Sequence, residues 1–236
     1  AAKDGRIIPV FIWSPEEEDM SPGAATRWWL HQSIKSLTES LEKLGTTLVL
    51  RMGESIKNLE KLAQDTGAKG VYWNRRYEPM IRKRDDEIAR QLRQAGLTVK
   101  TFKASLLAEP EEIENKSGLP FKVFTPFWKH CLKKLNASTP LPAPQKIEPP
   151  KASLRTTELS ELNLEPEQDW GHSMNEVWTP GERGAASALE LFINDSFNDY
   201  AKIRNFPNTK GTSRLSPHLR FGEISPRQIK HSLEQS

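Results

Sequence analysis

Three amphipathic stripes, each closed by a glycine and set between short apolar runs, leave this chain few folds to choose from. Leu30, Ile34, Leu37, Leu41 and Leu44 recur at steps of three and four and stop at Gly45. Ile56, Leu59, Leu62 and Ala63 stop at Gly67, and Ile81, Ile88, Leu92 and Ala95 stop at Gly96. Such spacing gives each helix one apolar face, and a glycine just past the last turn supplies a left-handed cap. Between and before the stripes lie strand candidates: Ile7 to Trp13, Leu48 to Leu50, Val71 to Trp73 and Thr98 to Phe102. The first is apolar on both faces, as a strand covered on each side must be. Strand and helix in alternation predict an α/β fold with a doubly wound parallel sheet.

This pattern stops near Leu135. Beyond it, Asn136 to Trp170 holds Pro140, Pro142, Pro144, Pro149, Pro150 and Pro166 without sustained periodicity, which reads as a long extended connection over a surface. A helical pattern then returns, with Ala185, Leu189, Phe192 and Ile193 on one face. The organisation expected is an α/β domain over 1–135, a linker over 136–178 and an all-helical unit over 179–236. The chain opens without methionine and closes inside a helical pattern, so the expectation is a piece of a longer protein, with the first strand of the sheet and most of the helical unit outside it.

Several function classes drop out. Cys131 is the one cysteine, so no internal disulfide framework and no cysteine zinc cluster can form. The five histidines are scattered over separate segments, and no metal site is expected. No run nears the roughly 18 apolar residues of a membrane span, and AAKDGR lacks the apolar core of a signal peptide. A cytoplasmic protein is expected, or a nuclear one in a eukaryote. Neither a dinucleotide G-x-G-x-x-G after a strand nor a Walker-type loop nor H-E-x-x-H is present. Trp13, Trp28, Trp29 and Trp73 fall on apolar faces, where core packing is their usual role.

The run GTSRLSPHLRFGEISPRQ, from Gly211 to Gln228, concentrates chemistry. One reading is capping: Ser216-Pro217 and Ser225-Pro226 each place a preferred N-cap residue before a proline, and Ser225 with Gln228 fits a capping box. The other is an anion site, since hydroxyls and free backbone N–H groups with arginine nearby suit a phosphate. From Tyr200 to Lys230 seven lysines and arginines face Glu223 alone, a net charge of +6 inside a chain of only +3. That segment is a candidate surface for a polyanion.

Tyr200, the pattern Y-x-x-x-R-x-F-P and the later T-S-R-L-S together resemble the photolyase and cryptochrome family. PVFIWSPEEE and PGAATRWWLHQSIKSL resemble that family's Rossmann-like antenna domain, LPFKVFTPFWKHCL its last part and WTPGERGA the entry to its flavin domain. The resemblance implies that Tyr200, Thr212, Ser213 and Ser216, with the backbone amides of Arg214 and Leu215, hold the diphosphate of FAD. It implies light-driven electron transfer from reduced FAD to a pyrimidine dimer, with damaged DNA as partner and a monomer as the working form. Arg204, Arg220 and Arg227 become candidates for DNA phosphates. Residues that meet the lesion are expected beyond Ser236, so this chain alone is expected to be inactive. A second chromophore is also implied. Folate in this family follows a Tyr-Glu with Asn-Glu, and here Met80 and Ile81 follow Tyr77-Glu78-Pro79. A deazaflavin or flavin near Trp13, Met20, Asn74 and Arg82 is therefore the expectation. A blue-light photoreceptor without repair activity is the alternative, because GAATRWWLHQSIKSL also resembles plant-type cryptochromes.

Overall fold

The computed structural model describes residues 5–18, 20–135, 139–166 and 171–236. Ala1, Asn136 and Trp170, which bound expected segments, lie outside the described residues. Among the described residues the strands are β1 (Val10–Trp13), β2 (Val49–Met52), β3 (Gly70–Asn74) and β4 (Thr98–Phe102). The α-helices are α1 (Ala24–Lys43), α2 (Ser55–Thr66), α3 (Pro79–Gln94), α4 (Phe124–Lys134), α5 (Gly171–Val177), α6 (Glu182–Asp195), α7 (Tyr200–Ile203), α8 (Ser216–Arg220) and α9 (Pro226–Gln235). The α/β alternation with parallel pairing is as expected: β1 runs parallel to β2, Val10 opposite Val49, and β3 runs parallel to β4, Gly70 opposite Thr98.

The chain divides into two compact units. The first takes Ala1–Phe102 and Ala143–Ala185, and the second takes Lys103–Pro142 and Ala186–Ser236. In the first, the predicted glycines end their helices by adopting positive φ: 88° at Gly45, 67° at Gly67 and 83° at Gly96. α1 buries Trp28, Trp29, Ile34 and Leu41, whereas Leu37, placed in the expected stripe, is 41% exposed. α3 buries Ile81, Ile88, Ala89 and Leu92 and lies against α2 and β4. β1 is half-buried along its length rather than sealed on both faces.

The proline-rich run is extended, but it does more than cross a surface. Its backbone is stitched to the α/β elements by Ile147 N–H to the Leu44 carbonyl (2.8 Å), Thr157 N–H to the Leu50 carbonyl (3.0 Å) and Ile7 N–H to the Glu148 carbonyl (3.3 Å). Ile147, Leu162 and Leu164 then join Ile34, Leu41, Leu48 and Leu50 in one apolar cluster, with Leu164 only 1% exposed. Burying three such side chains at about 1.5–3 kcal/mol each offsets part of the entropy lost in ordering the segment. Further along, α5 packs closely on α1: a Cβ at Gly171 would sit 2.9 Å from the indole of Trp28. Trp178 meets Trp29 edge-on at 5.4 Å. Nearby, His31 lies 3.5 Å from Glu165, its Nδ1 is buried without a partner among the described residues, and burial holds its pKa below the ordinary value.

The second unit has a thinner core. Of its described residues, Ile113, Cys131, Leu189, Leu215 and Ile224 are the buried apolar ones. α4 buries Cys131 and exposes Phe124 and Trp128, whose rings stack with an interplanar angle of 7°. Glu112 organises the segment before α4, accepting from Lys103 and, through its backbone carbonyl, from Lys134 at 2.8 Å.

Candidate functional site

Several contacts between α6 and α9 fix one loop. Ser196, just past α6, donates its hydroxyl to the Lys210 carbonyl at 2.8 Å. Thr209 donates to the Phe206 carbonyl at 2.9 Å and to that of Ile203 at 3.3 Å. Gly211 is pressed against the end of α7, where an added Cβ would stand 2.7 Å from Ile203 Cγ1 and 2.9 Å from its carbonyl oxygen, so no larger residue fits. Arg214 then takes φ +54°, a left-handed conformation costly for a residue with a Cβ and stable only where its surroundings enforce it. Leu215, 3% exposed, anchors the loop from below.

The two Ser-Pro steps part company here. Ser225 caps α9 as expected: its hydroxyl accepts from Gln228 N–H at 3.2 Å, and Gln228 Oε1 accepts from Ser225 N–H at 2.8 Å. Ser216 does not cap α8. It is the helix's first residue, Leu215 holds the cap position, and no side chain caps that end. The helix begins one residue earlier than the Ser216-Pro217 step predicts, so Ser216 already lies inside it and cannot cap it.

What remains is a set of unspent donors. Among the described residues, the hydroxyls of Thr212, Ser213 and Ser216 have no protein hydrogen-bond partner, in contrast to Ser196, Thr209 and Ser225 beside them. The backbone N–H groups of Thr212, Ser213 and Leu215 likewise have none among the described residues. Tyr200, 38% exposed, leans edge-on against Phe192 at 5.6 Å, with Arg204 stacked over its ring at 5.6 Å. Its phenol also lacks a partner among the described residues. The last turn of α7 is tied to the loop through Ile203 and Gly211. Arg204 and Arg220 are exposed, whereas Arg227 is half-buried and close enough to Glu112 to help hold that carboxyl below the usual range, behind the larger effect of Lys103.

The candidate chromophore residues sit in the first unit. Trp13 and Asn74 are the last residues of β1 and β3, each at the carboxyl end of its own two-stranded parallel sheet, the end at which open parallel sheets bind ligands. Trp13 packs against the apolar cluster, while Asn74, Arg82 and Met20, the last 82% exposed, face outward. Around them the sequence reading missed an ionic lattice. Glu17 accepts from the Ser55 backbone N–H (2.8 Å) and hydroxyl (2.6 Å), capping α2 from a distant loop. Glu18 and Glu78 both hold Arg76, and the Arg76 guanidinium keeps the Glu78 carboxyl below the usual carboxylate range. The acidic run Glu16-Glu17-Glu18 straight after a strand was the available signal. Glu17 already fills the helix end where a ligand phosphate would otherwise dock.

Fold and loop together define a class of two-unit proteins, in which one unit is built on parallel α/β elements and the other presents a loop whose hydroxyls have no partner among the described residues. The DNA photolyase family model matches residues 1–145. The deoxyribodipyrimidine photo-lyase of Agrobacterium fabrum is 41% identical over 230 residues, covering 97% of this chain and 47% of that protein. Cryptochrome-1 of Arabidopsis thaliana is 36% identical over 98% of this chain and 34% of its own length. The crystal structure of a bacterial class III photolyase from Agrobacterium tumefaciens superposes with a TM-score of 0.91 at 41% identity, over 97% of this chain and 47% of that one. The chain belongs to the photolyase/cryptochrome family. It spans between a third and a half of the length of these curated relatives.

Proposed function

We propose that this chain carries the phosphate-binding part of a flavin site, in a protein that repairs pyrimidine dimers in DNA with light. The observation that supports this is the loop of unpartnered donors. Hydroxyls that cap nothing and bond to nothing among the described residues, held on a backbone strained at Arg214, suit a ligand with many acceptor oxygens. Thr212, Ser213, Ser216 and Tyr200 would donate to the FAD diphosphate, with the backbone amides of Arg214 and Leu215 beside them. When bound and reduced, FAD supplies the light absorption and the transferable electron. The protein's share is to hold the diphosphate at fixed points and leave the cationic surface free for DNA. Arg204 and Arg220 are exposed for phosphate contacts, whereas Arg227 is half-buried near Glu112.

In this reading residues 1–135 form the antenna domain, 136–178 the linker and 179–236 the start of the flavin domain. The antenna chromophore is a deazaflavin or flavin near Trp13, Met20, Asn74 and Arg82, with its phosphate directed away from α2 because Glu17 occupies that end. The working form is a monomer in the cytoplasm or, in a eukaryote, the nucleus. No helix among the described residues is long and apolar enough to cross a membrane.

A blue-light photoreceptor is the second reading, favoured by the 36% identity to an Arabidopsis cryptochrome. Both use the same flavin loop. The test is the whole protein, purified and reconstituted with FAD, then illuminated with dimer-containing DNA. Light-dependent loss of dimers supports repair. Photoreduction of bound flavin with the dimers intact supports the photoreceptor, and absence of flavin at the loop refutes both.

A further inference from the structure

Two residues past Ser216, a histidine and a glutamate are buried against each other. His218 Nδ1 and Glu223 Oε2 are 2.5 Å apart, and both side chains are 3% exposed. A second bond runs in parallel, from the Glu223 backbone N–H to the His218 carbonyl at 2.9 Å. Between them the chain reverses at Gly222, with φ +70°. Leu215 and Ile224, 3% and 6% exposed, flank the pair.

We infer that His218 and Glu223 act as positioning residues, a buried brace that holds α8 and hence the loop's donors in the geometry that binds the flavin diphosphate. This rests on the FAD reading of the loop. The first argument is length. α8 has five residues and no side-chain cap at its start, too short to persist by its own hydrogen bonds. Something outside it must fix its axis, and the His218–Glu223 contact ties its third residue to the turn beyond its end. The second argument is direction. His218 lies inside α8 and Arg214 two residues before its start, so a rotation of α8 would move the Ser216 hydroxyl and pull on the strained Arg214 backbone and the Ser213 beside it. Apolar packing by Leu215 and Ile224 resists separation but is non-directional, whereas a short hydrogen bond between a planar ring and a carboxylate fixes an angle.

The third argument is that stability alone does not account for the pair. Apolar residues of similar volume serve as well or better in a core, because two polar groups must be stripped of water to be buried. A polar pair in that place does what apolar residues cannot, which is to specify one orientation.

Three variants of the whole protein test this, each compared with wild type for FAD affinity and for melting temperature without flavin. Glu223→Ala removes the acceptor and is expected to weaken FAD binding at least about tenfold, one decade in Kd. Glu223→Gln keeps an acceptor oxygen for Nδ1–H and is expected to restore binding. The double variant His218→Phe/Glu223→Leu fills the same volume without polarity. It is expected to melt within a few degrees of wild type yet bind FAD at least about tenfold more weakly. Wild-type affinity in the folded double variant would make the pair structural only and overturn the inference. Loss of binding in a folded Glu223→Gln protein equal to that in Glu223→Ala would overturn it too. A wild-type protein that binds no FAD at all would refute the FAD reading itself, a result distinct from either.

Discussion

Removing the loop hydroxyls should weaken flavin binding and leave the fold untouched, a combination that few substitutions produce. The perturbation is Thr212→Val, Ser213→Ala and Ser216→Ala, made singly and together. Valine keeps the branched shape of threonine, and the two alanines delete one oxygen each. No hydroxyl of the three has a protein partner among the described residues, so their loss breaks no internal bond. The stability of the flavin-free protein should therefore stay within about 0.5 kcal/mol of wild type. Each hydroxyl that donates to a charged phosphate oxygen contributes about 1.5–3 kcal/mol, or about 10- to 150-fold in Kd. Neighbouring donors couple, so the triple variant should fall short of the summed effect and still lose at least about a thousandfold. Flavin fluorescence titration of the apoprotein gives Kd, and urea denaturation gives stability. Unchanged affinity in the triple variant would remove the diphosphate from this loop. A fall in stability matching the fall in affinity would mean that the hydroxyls support the fold after all.

Leu164→Ala, in the proline-rich run, should cost about 2–5 kcal/mol in urea denaturation, because the side chain is 1% exposed inside the apolar cluster. A change below about 0.5 kcal/mol would show that the run lies on the surface. His31, whose pKa burial lowers, binds its proton less readily folded than unfolded, so the unfolded state carries more protons near its ordinary pKa of 6.5. Its contribution is therefore complete above pH 6.5 and is lost as pH falls through the lowered value, and His31→Gln should flatten that part of a melting-temperature profile. Arg204→Gln with Arg220→Gln should reduce the salt dependence of DNA binding by about 0.9 per lost phosphate contact. Arg227→Gln should change it less, given Glu112 nearby, and the reverse order in a filter-binding salt series would discard that assignment.

The helices and strands of the α/β unit were legible because their signals are local. Gly67 and Gly96 ended α2 and α3 with positive φ, and β4 occupies the predicted Thr98–Phe102. Leu37 shows the boundary of that legibility. Periodicity tells which face of α1 is apolar, but not how far the covering segment reaches along it. The proline-rich run shows another. Its composition announced an extended backbone, while Ile147, Leu162 and Leu164 recur at no period that would mark them as core. At the site, the spacing of Tyr200, Thr212, Ser213 and Ser216 was readable as a pattern of donors. Whether Ser216 also caps α8 was not, because a Ser-Pro step looks the same whether the serine caps a helix or begins one. The His218–Glu223 pair was hidden for a related reason, since two polar residues five apart announce a contact only once both are known to be buried.

The stitching of the proline-rich run into the apolar cluster also sets a clock. Strand β4 ends at Phe102, yet the cluster under α1 and β2 is closed by Leu162 and Leu164, about sixty residues later in synthesis. At roughly 5–20 residues per second that is a delay of about 3–12 s in which Leu48, Leu50 and their neighbours have emerged without their cover. During that interval the nascent chain presents a sticky surface to its surroundings, so a chaperone that shields it would matter most in those seconds, before the loop from Gly211 to Ser216 has been made at all.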